Sequence, residues 1–147
     1  MSARPTAARL ARLLTGGPER LARAAEARLG RRVHAATSFT ARGGLLAGVL
    51  GPRPARYVLA ITDAHVYFLE QRTRLAGPPV GGVIAHYPLA GAVATWRRRP
   101  LTIAAELSWP DEHAFFAGHV PLGAHTDRVI GLLTASEFAH LDDRDAR

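Results

Sequence analysis

Arginine, histidine and tryptophan are the residues of this 147-residue chain whose types and spacing could do chemistry. Arg97-Arg98-Arg99 stands directly before Pro100, with Trp96 beside it and Arg72 and Arg74 on an earlier loop. A guanidinium presents a planar fork of donors that matches phosphate geometry. A basic hairpin tip of this kind can hold phosphates, and Trp96 can enter a membrane interface or stack on a base. The plainer readings are a solvated turn and a core tryptophan, and the pattern alone favours them. Seven histidines occur. His113 and His119 fall on one face of an expected final strand, and with His125 they could offer imidazoles to zinc. Six residues of strand, however, separate two side chains by roughly 20 Å. One ion would need a sharp bend at Gly118, so surface histidines are the better reading and no metal or cofactor is expected.

What is missing narrows the function further. There is no cysteine, so no disulfide, thiol nucleophile or cysteine-ligated zinc is available. All 19 basic side chains are arginine, and without lysine a Walker-type phosphate loop and Schiff-base chemistry are excluded. Gly-x-Ser-x-Gly, His-Glu-x-x-His and Gly-x-Gly-x-x-Gly are likewise absent. Arginine, alanine, glycine and proline together suggest a GC-rich genome, which weakens arginine as evidence for nucleic acid. The longest strongly apolar run, 45–50, is far short of the roughly 20 residues of a membrane-spanning helix. No signal-peptide core interrupts the alternation of Arg with Ala and Leu over 1–14, so a cytoplasmic protein is expected.

Charge is split along the chain. Residues 1–56 carry eleven arginines against Glu19 and Glu26, a net of +9, whereas 57–147 are net −2. The leader, with Arg9 and Arg12 beside Leu10, Leu13 and Leu14, could neutralise nucleic acid, lie on an anionic membrane, or solvate helices packed on a protein. The last is preferred, because the arginines are dispersed and aromatics are scarce there.

The elements that must position these residues can be placed from pattern. A short helix fits 7–14, and Gly16-Gly17 breaks it. Pro18 suits the first position of a second helix, Glu19 its N-terminus and Gly30 its stop. Leu21, Ala25 and Leu29 form a narrow stripe suited to lying on a domain surface. A first strand fits 33–40, and 45–50 is ambiguous between strand and helix. Strands are expected at 56–61 and 65–70 about a Thr62-Asp63 turn, then at 83–87 and 92–97. In 101–109, Leu101, Ile103, Ala105, Leu107 and Trp109 face one way and Thr102, Glu106 and Ser108 the other, as a half-buried antiparallel strand requires. Pro110-Asp111-Glu112 turns the chain into a strand at 113–120. Thr126 is the expected N-cap of a closing helix with Val129, Ile130 and Leu133 on one face, Thr134-x-x-Glu137 predicts a restart, and 141–147 reads as a charged, frayed tail.

Tyr57-Val-Leu-Ala-Ile-Thr-Asp63, His65-Val-Tyr-Phe-Leu69 and His86-Tyr-Pro-Leu89, with the hairpin over 101–116 and the helix after it, resemble the bacterial pleckstrin-homology-like (PH-like) domains. The resemblance covers roughly 57–133. It implies a mainly β, α+β domain over 33–140: an antiparallel, partly open barrel or sandwich closed by a C-terminal helix, with residues 1–32 as an arginine-rich helical arm. It differs from such hairpins in having no glycine at Pro110-Asp111-Glu112. The family implies binding or assembly. A second segment, Phe115-Phe116-Ala117-Gly118-His119-Val120-Pro121, is similar to the Phe-Phe-x-Gly-His-x-Pro of hot-dog-fold hydroxyacyl dehydratases, which would make His119 catalytic on thioesters. The acid that family needs about four turns later is replaced by Leu133, the nearest being Glu137, and the match is read as chance.

The expected function is thus a non-catalytic interaction or assembly module that binds a partner protein through a barrel edge and the arm. The alternative is an anionic-surface binder, for acidic lipid more than nucleic acid, using Arg97, Arg98, Arg99 and Trp96 with Arg72, Arg74, Arg9 and Arg12. A hot-dog-like thioester enzyme is the distant third.

Overall fold

A computed structural model describes residues 17–42, 55–72 and 77–145. Helix α1 (Gly17–Leu29) precedes strands β1 (Ala35–Ala41), β2 (Ala55–Ile61), β3 (His65–Gln71) and β4 (Val80–Pro88). A 3-10 turn (Leu89–Gly91) leads into β5 (Val93–Arg98) and β6 (Thr102–Trp109). A second such turn (Pro110–Glu112) precedes β7 (Ala114–Pro121), and α2 (Ala124–Asp145) follows. The strands make one open antiparallel sheet in the order β4-β3-β2-β1-β7-β6-β5. The expected helix at 7–14 and the ambiguous run at 45–50 lie outside the described residues.

The sheet doubles over, so that its two halves share one inner core. Phe39, Leu59 and Phe68 of the first half meet Leu107, Trp109 and Val120 of the second, and Val129 and Leu133 of α2 complete the cluster. Aromatic rings interlock across it: Phe68 lies 4.6 Å from Phe116 and Tyr87 stacks on Trp109 at 4.7 Å, centroid to centroid. Each such side chain taken from water contributes about 1.5–3 kcal/mol. The open side, between β4 and β5, is tied by the turn at Leu89. There Leu89 N donates to Ala64 O at 2.9 Å, Trp109 Nε1 to Pro88 O at 2.9 Å, and Ser136 Oγ to Leu89 O at 3.0 Å.

The halves are joined at a narrow place. β1 pairs with β7 only through Thr40↔His119 and Ala41↔Gly118, continued by Arg42 N donating to Ala117 O at 2.8 Å. Gly118 has no room for a side chain. A Cβ there would collide with the Thr40 carbonyl and sit 2.9 Å from Phe39 Cζ and 3.0 Å from Ala41 Cα. Glycine lets the two backbones approach where the sheet bends.

The outer face of the first half is covered as well. Leu21 and Ala25 of α1 are buried against Val58, Ala60, Leu69 and Val80. Helix α1 starts and stops for the expected reasons: Glu19 lies in the first turn and Arg28 in the last, and Gly30 takes φ 64° with its N–H donating to Glu26 O at 2.9 Å. Residues 17–29 are therefore docked on the sheet and form its second core, rather than standing off as an arm.

Four expectations need correction. Leu101 does not face inward: it sits in the β5–β6 turn, 85% exposed, because the strand begins at Thr102. The strand after Glu112 begins at Ala114, since His113 adopts a left-handed φ of 52° and ends the glycine-free turn. Thr126 is not an N-cap. The helix starts at Ala124, after Gly123 at φ 149°, and the Thr126 hydroxyl is buried against that of Thr37, 2.9 Å away. The helix also runs unbroken through Thr134 to Asp145, so neither a restart nor a separate tail at 141–145 forms.

Two stability measurements follow. Gly118→Ala should lower the unfolding free energy by about 1–3 kcal/mol or more, through overpacking against backbone. Gly131→Ala, on the exposed side of α2 with nothing within 4 Å of its Cβ, should raise it by about 1 kcal/mol. Urea denaturation measures both, and equal effects at the two glycines would contradict the bend. In a double-mutant cycle, Thr37→Val and Thr126→Val should each cost about 1–3 kcal/mol by stranding a buried hydroxyl, and the double variant less than their total.

Candidate binding face on strands β5 to β7

Among the described residues, no helix covers the outward face of β5–β7 as α1 covers the other half. Alternation along each strand sends Thr95 and Arg97, Ala104 and Glu106, and Ala117 and His119 to this face, in register across the three strands. Ala104 and Ala117 carry only methyl groups, so a concavity of about 220 Å³ opens above them. Its rim holds Arg42 from the end of β1, Arg97 from β5, Arg99 from the β5–β6 turn, and Glu106. Among the described residues, none of these four forms an ion pair within 4 Å. Phe115, 61% exposed, stands on the same face.

The residues singled out from sequence separate in space. Arg97 and Arg99 come together, and Arg42 joins them. Arg98, one position from each, pairs in register with the inward Ile103 and so points to the opposite side of β5. Arg72 belongs to the other half, where its Nε lies 3.8 Å from Glu70 Oε1 and its N–H donates to Pro79 O. Trp96 turns inward and packs on the core, with its indole nitrogen buried and without a partner among the described residues. Arg9, Arg12 and Arg74 lie outside the described residues. Arg42 was missed because it was counted with the leader. Its signal was its place at the end of a strand, just before Gly43-Gly44.

The histidines divide among local tasks. His34 meets the Asp63 carboxylate, and His125 Nε2 lies 3.4 Å from Glu19 Oε1, linking the starts of α2 and α1. His65, Tyr67 and His86 pack ring on ring over β3 and β4, with Tyr67 and His86 stacked at 5.6 Å. Among the described residues no three metal-ligating side chains converge. His119 lies on the outward face of β7 with its Nδ1 buried and without a partner among the described residues, and β7 is followed by α2.

The edges of the sheet differ. β4 pairs with β3 through two register shifts, near Phe68/Leu69 and Leu69/Gln71. β5 pairs with β6 without interruption from Val93↔Ser108 to Arg98↔Ile103. Arg99 N donates to Thr102 O at 2.8 Å, which makes that pair a hydrogen-bonded one. By the alternation of an antiparallel ladder, Ala94, Trp96 and Arg98 therefore aim their backbone N–H and C=O at the open edge. No helix among the described residues is long and apolar enough to cross a membrane. No protein-family model matches the chain, and no curated protein matches it in sequence.

The rim arginines make no ion pair within 4 Å among the described residues, Glu106 included, so little of the fold's stability is expected to rest on them. Arg97→Ala and Arg99→Ala should each leave stability within about 0.5 kcal/mol of the unaltered protein. Thermal unfolding at low and high salt checks this. A large loss in either variant would assign the side chain to structure.

Proposed function

We propose that this chain is a non-catalytic, PH-like binding module that takes an extended segment of a partner protein along the free edge of β5. The carrying observation is the uninterrupted β5 ladder with the amides and carbonyls of Ala94, Trp96 and Arg98 directed outward. An unpaired strand edge is a template for another strand, and main-chain hydrogen bonds supply affinity when one is added. Bulges commonly protect such edges. The irregularities of β4 serve that purpose there, while β5 has none. Val93, 41% exposed, offers an apolar contact at one end of the edge. Arg97 and Arg98 at the other end favour an acidic residue in the partner segment.

The PH-like part of the reading is supported by the strand order and by the placement of α2. Two meanders, β1–β4 and β5–β7, join through β1 and β7, and α2 packs on β1, on β5 and on the turn that crosses the open side. A partly open, helix-closed build is what the resemblance over 57–133 implies. Binding at β5 leaves α1 in its structural place, so the partner contact moves from the leader to the second half of the sheet.

The test is affinity capture of the full chain from its host, with nuclease and detergent washes, beside two edge variants. Ala94→Pro removes an outward N–H without touching the β6 ladder, and Val93→Lys adds a charge that natural edges use against pairing. A stoichiometric protein retained by the unaltered chain and lost from both folded variants is the expected result. Equal retention by variants with unchanged melting temperature, or no protein at all, would remove the reading.

A further inference from the structure

We infer that the concavity ringed by Arg42, Arg97 and Arg99 is a binding site for a phosphate monoester on a hydroxyl-bearing carrier. The three arginines come from two pieces of chain, Arg42 from the end of β1 and Arg97 with Arg99 from the β5–β6 hairpin, and line one opening. An arginine-rich composition by itself scatters charge. It does not bring Arg42, unpaired among the described residues, to the side of Arg97 and Arg99 while Arg72 is set beside Glu70 and Arg98 points away. Like charges gathered around a low-dielectric wall repel, and the arrangement becomes favourable when an anion enters.

Size and charge define that anion. A volume of about 220 Å³ is below the roughly 300–1,000 Å³ of pockets for larger ligands, and suits one phosphate with a small part of what carries it. Three arginines and the Glu106 carboxylate give the lining a formal net charge of +2. A phosphate monoester carries about −1.5 to −2 at pH 7, so it neutralises the site, whereas a diester leaves it half compensated. Glu106 has no donor of its own in reach among the described residues and would repel a bare phosphate. Beside a monoester it can accept a hydrogen bond from a hydroxyl of the carrier. The floor of Ala104 and Ala117 admits the phosphate close to the sheet because no side chain fills the space. Nucleic acid fits less well, since a backbone of diesters needs a track of charges instead of one local cluster.

A soluble sugar or glycerol phosphate and a lipid headgroup ending in a monoester share this chemistry. The full-length protein should be titrated calorimetrically with glycerol 3-phosphate, inorganic phosphate and glycerophosphocholine, and sedimented with vesicles containing phosphatidic acid. Glycerol 3-phosphate should bind at one site per chain, more tightly than inorganic phosphate, with no saturable heat from the diester. Arg97→Ala and Arg99→Ala should each weaken binding about tenfold or more, as loss of a charge-assisted contact does, while Arg98→Ala leaves it unchanged. Vesicle binding far tighter than binding of the free ester assigns the site to a membrane lipid, and equal affinities assign it to a soluble ester. Absence of saturable binding overturns the inference, and so does equal weakening by Arg98→Ala, which would mark general attraction to a basic surface. The variants that test the β5 edge, at Val93 and Ala94, do not line this concavity, so either reading can fail alone.

Discussion

The contact on which the rest of this structure depends is the close approach of β1 and β7 at Gly118. Two residue pairs join the halves of the sheet there. The inner core, from the Phe68–Phe116 contact to the stacking of Tyr87 on Trp109, exists because the sheet turns back on itself at that point. The bend requires a backbone without a Cβ on one side of it. On the other side, Thr40 and Ala41 belong to a strand of small residues that can be approached closely. Apolar burial supplies the stabilisation, but this steric allowance decides which surfaces can be buried together.

From that bend the two halves take different roles. β2 and β3 are buried on both faces, between the inner core and α1, and their side chains are apolar on nearly every position. β5–β7 are buried on one face only, and the other face carries alanine, threonine and arginine. Among the described residues, the unpaired edge and the uncovered face therefore coincide on the same three strands. The first half holds the fold, with α1 as its outer layer, and the second half presents charge and backbone that are unpaired among the described residues.

Legibility in the sequence followed from how strongly each segment's environment constrains it. β6 was evident because one buried face imposes strict alternation over Thr102–Trp109. β2 and β3 were evident because burial on both faces imposes continuous apolar runs. β1 was faint, since a strand packed tightly at a bend is written in Ala, Thr and Ser, which favour no element strongly. Helix α1 was marked by its charged ends and Gly30, yet its narrow stripe could not say whether sheet or partner lay beneath it. The start of α2 was misplaced because Thr126 has the chemistry of a cap, and only its neighbour Thr37 shows that the hydroxyl is needed elsewhere. The arginine face was half legible. Arg97 and Arg99 share a side by alternation, but Arg42 reaches them only through the β1–β7 pairing, which joins residues far apart in sequence.

That long separation bears on how the chain reaches its native state. The β1–β4 meander is built from contacts between strands adjacent in sequence, and so is the β5–β7 meander, whereas the junction at Gly118 must wait for both. Local contacts form early and long loops close late. A chain emerging from the ribosome would expose the inner faces of β1–β4, Phe39, Leu59 and Phe68 among them, until β7 arrives. The interval before that closure is when the chain is most open to aggregation and to chaperone capture. The closure that ends it sets the Thr40 backbone against Gly118, a residue with no side chain to contribute.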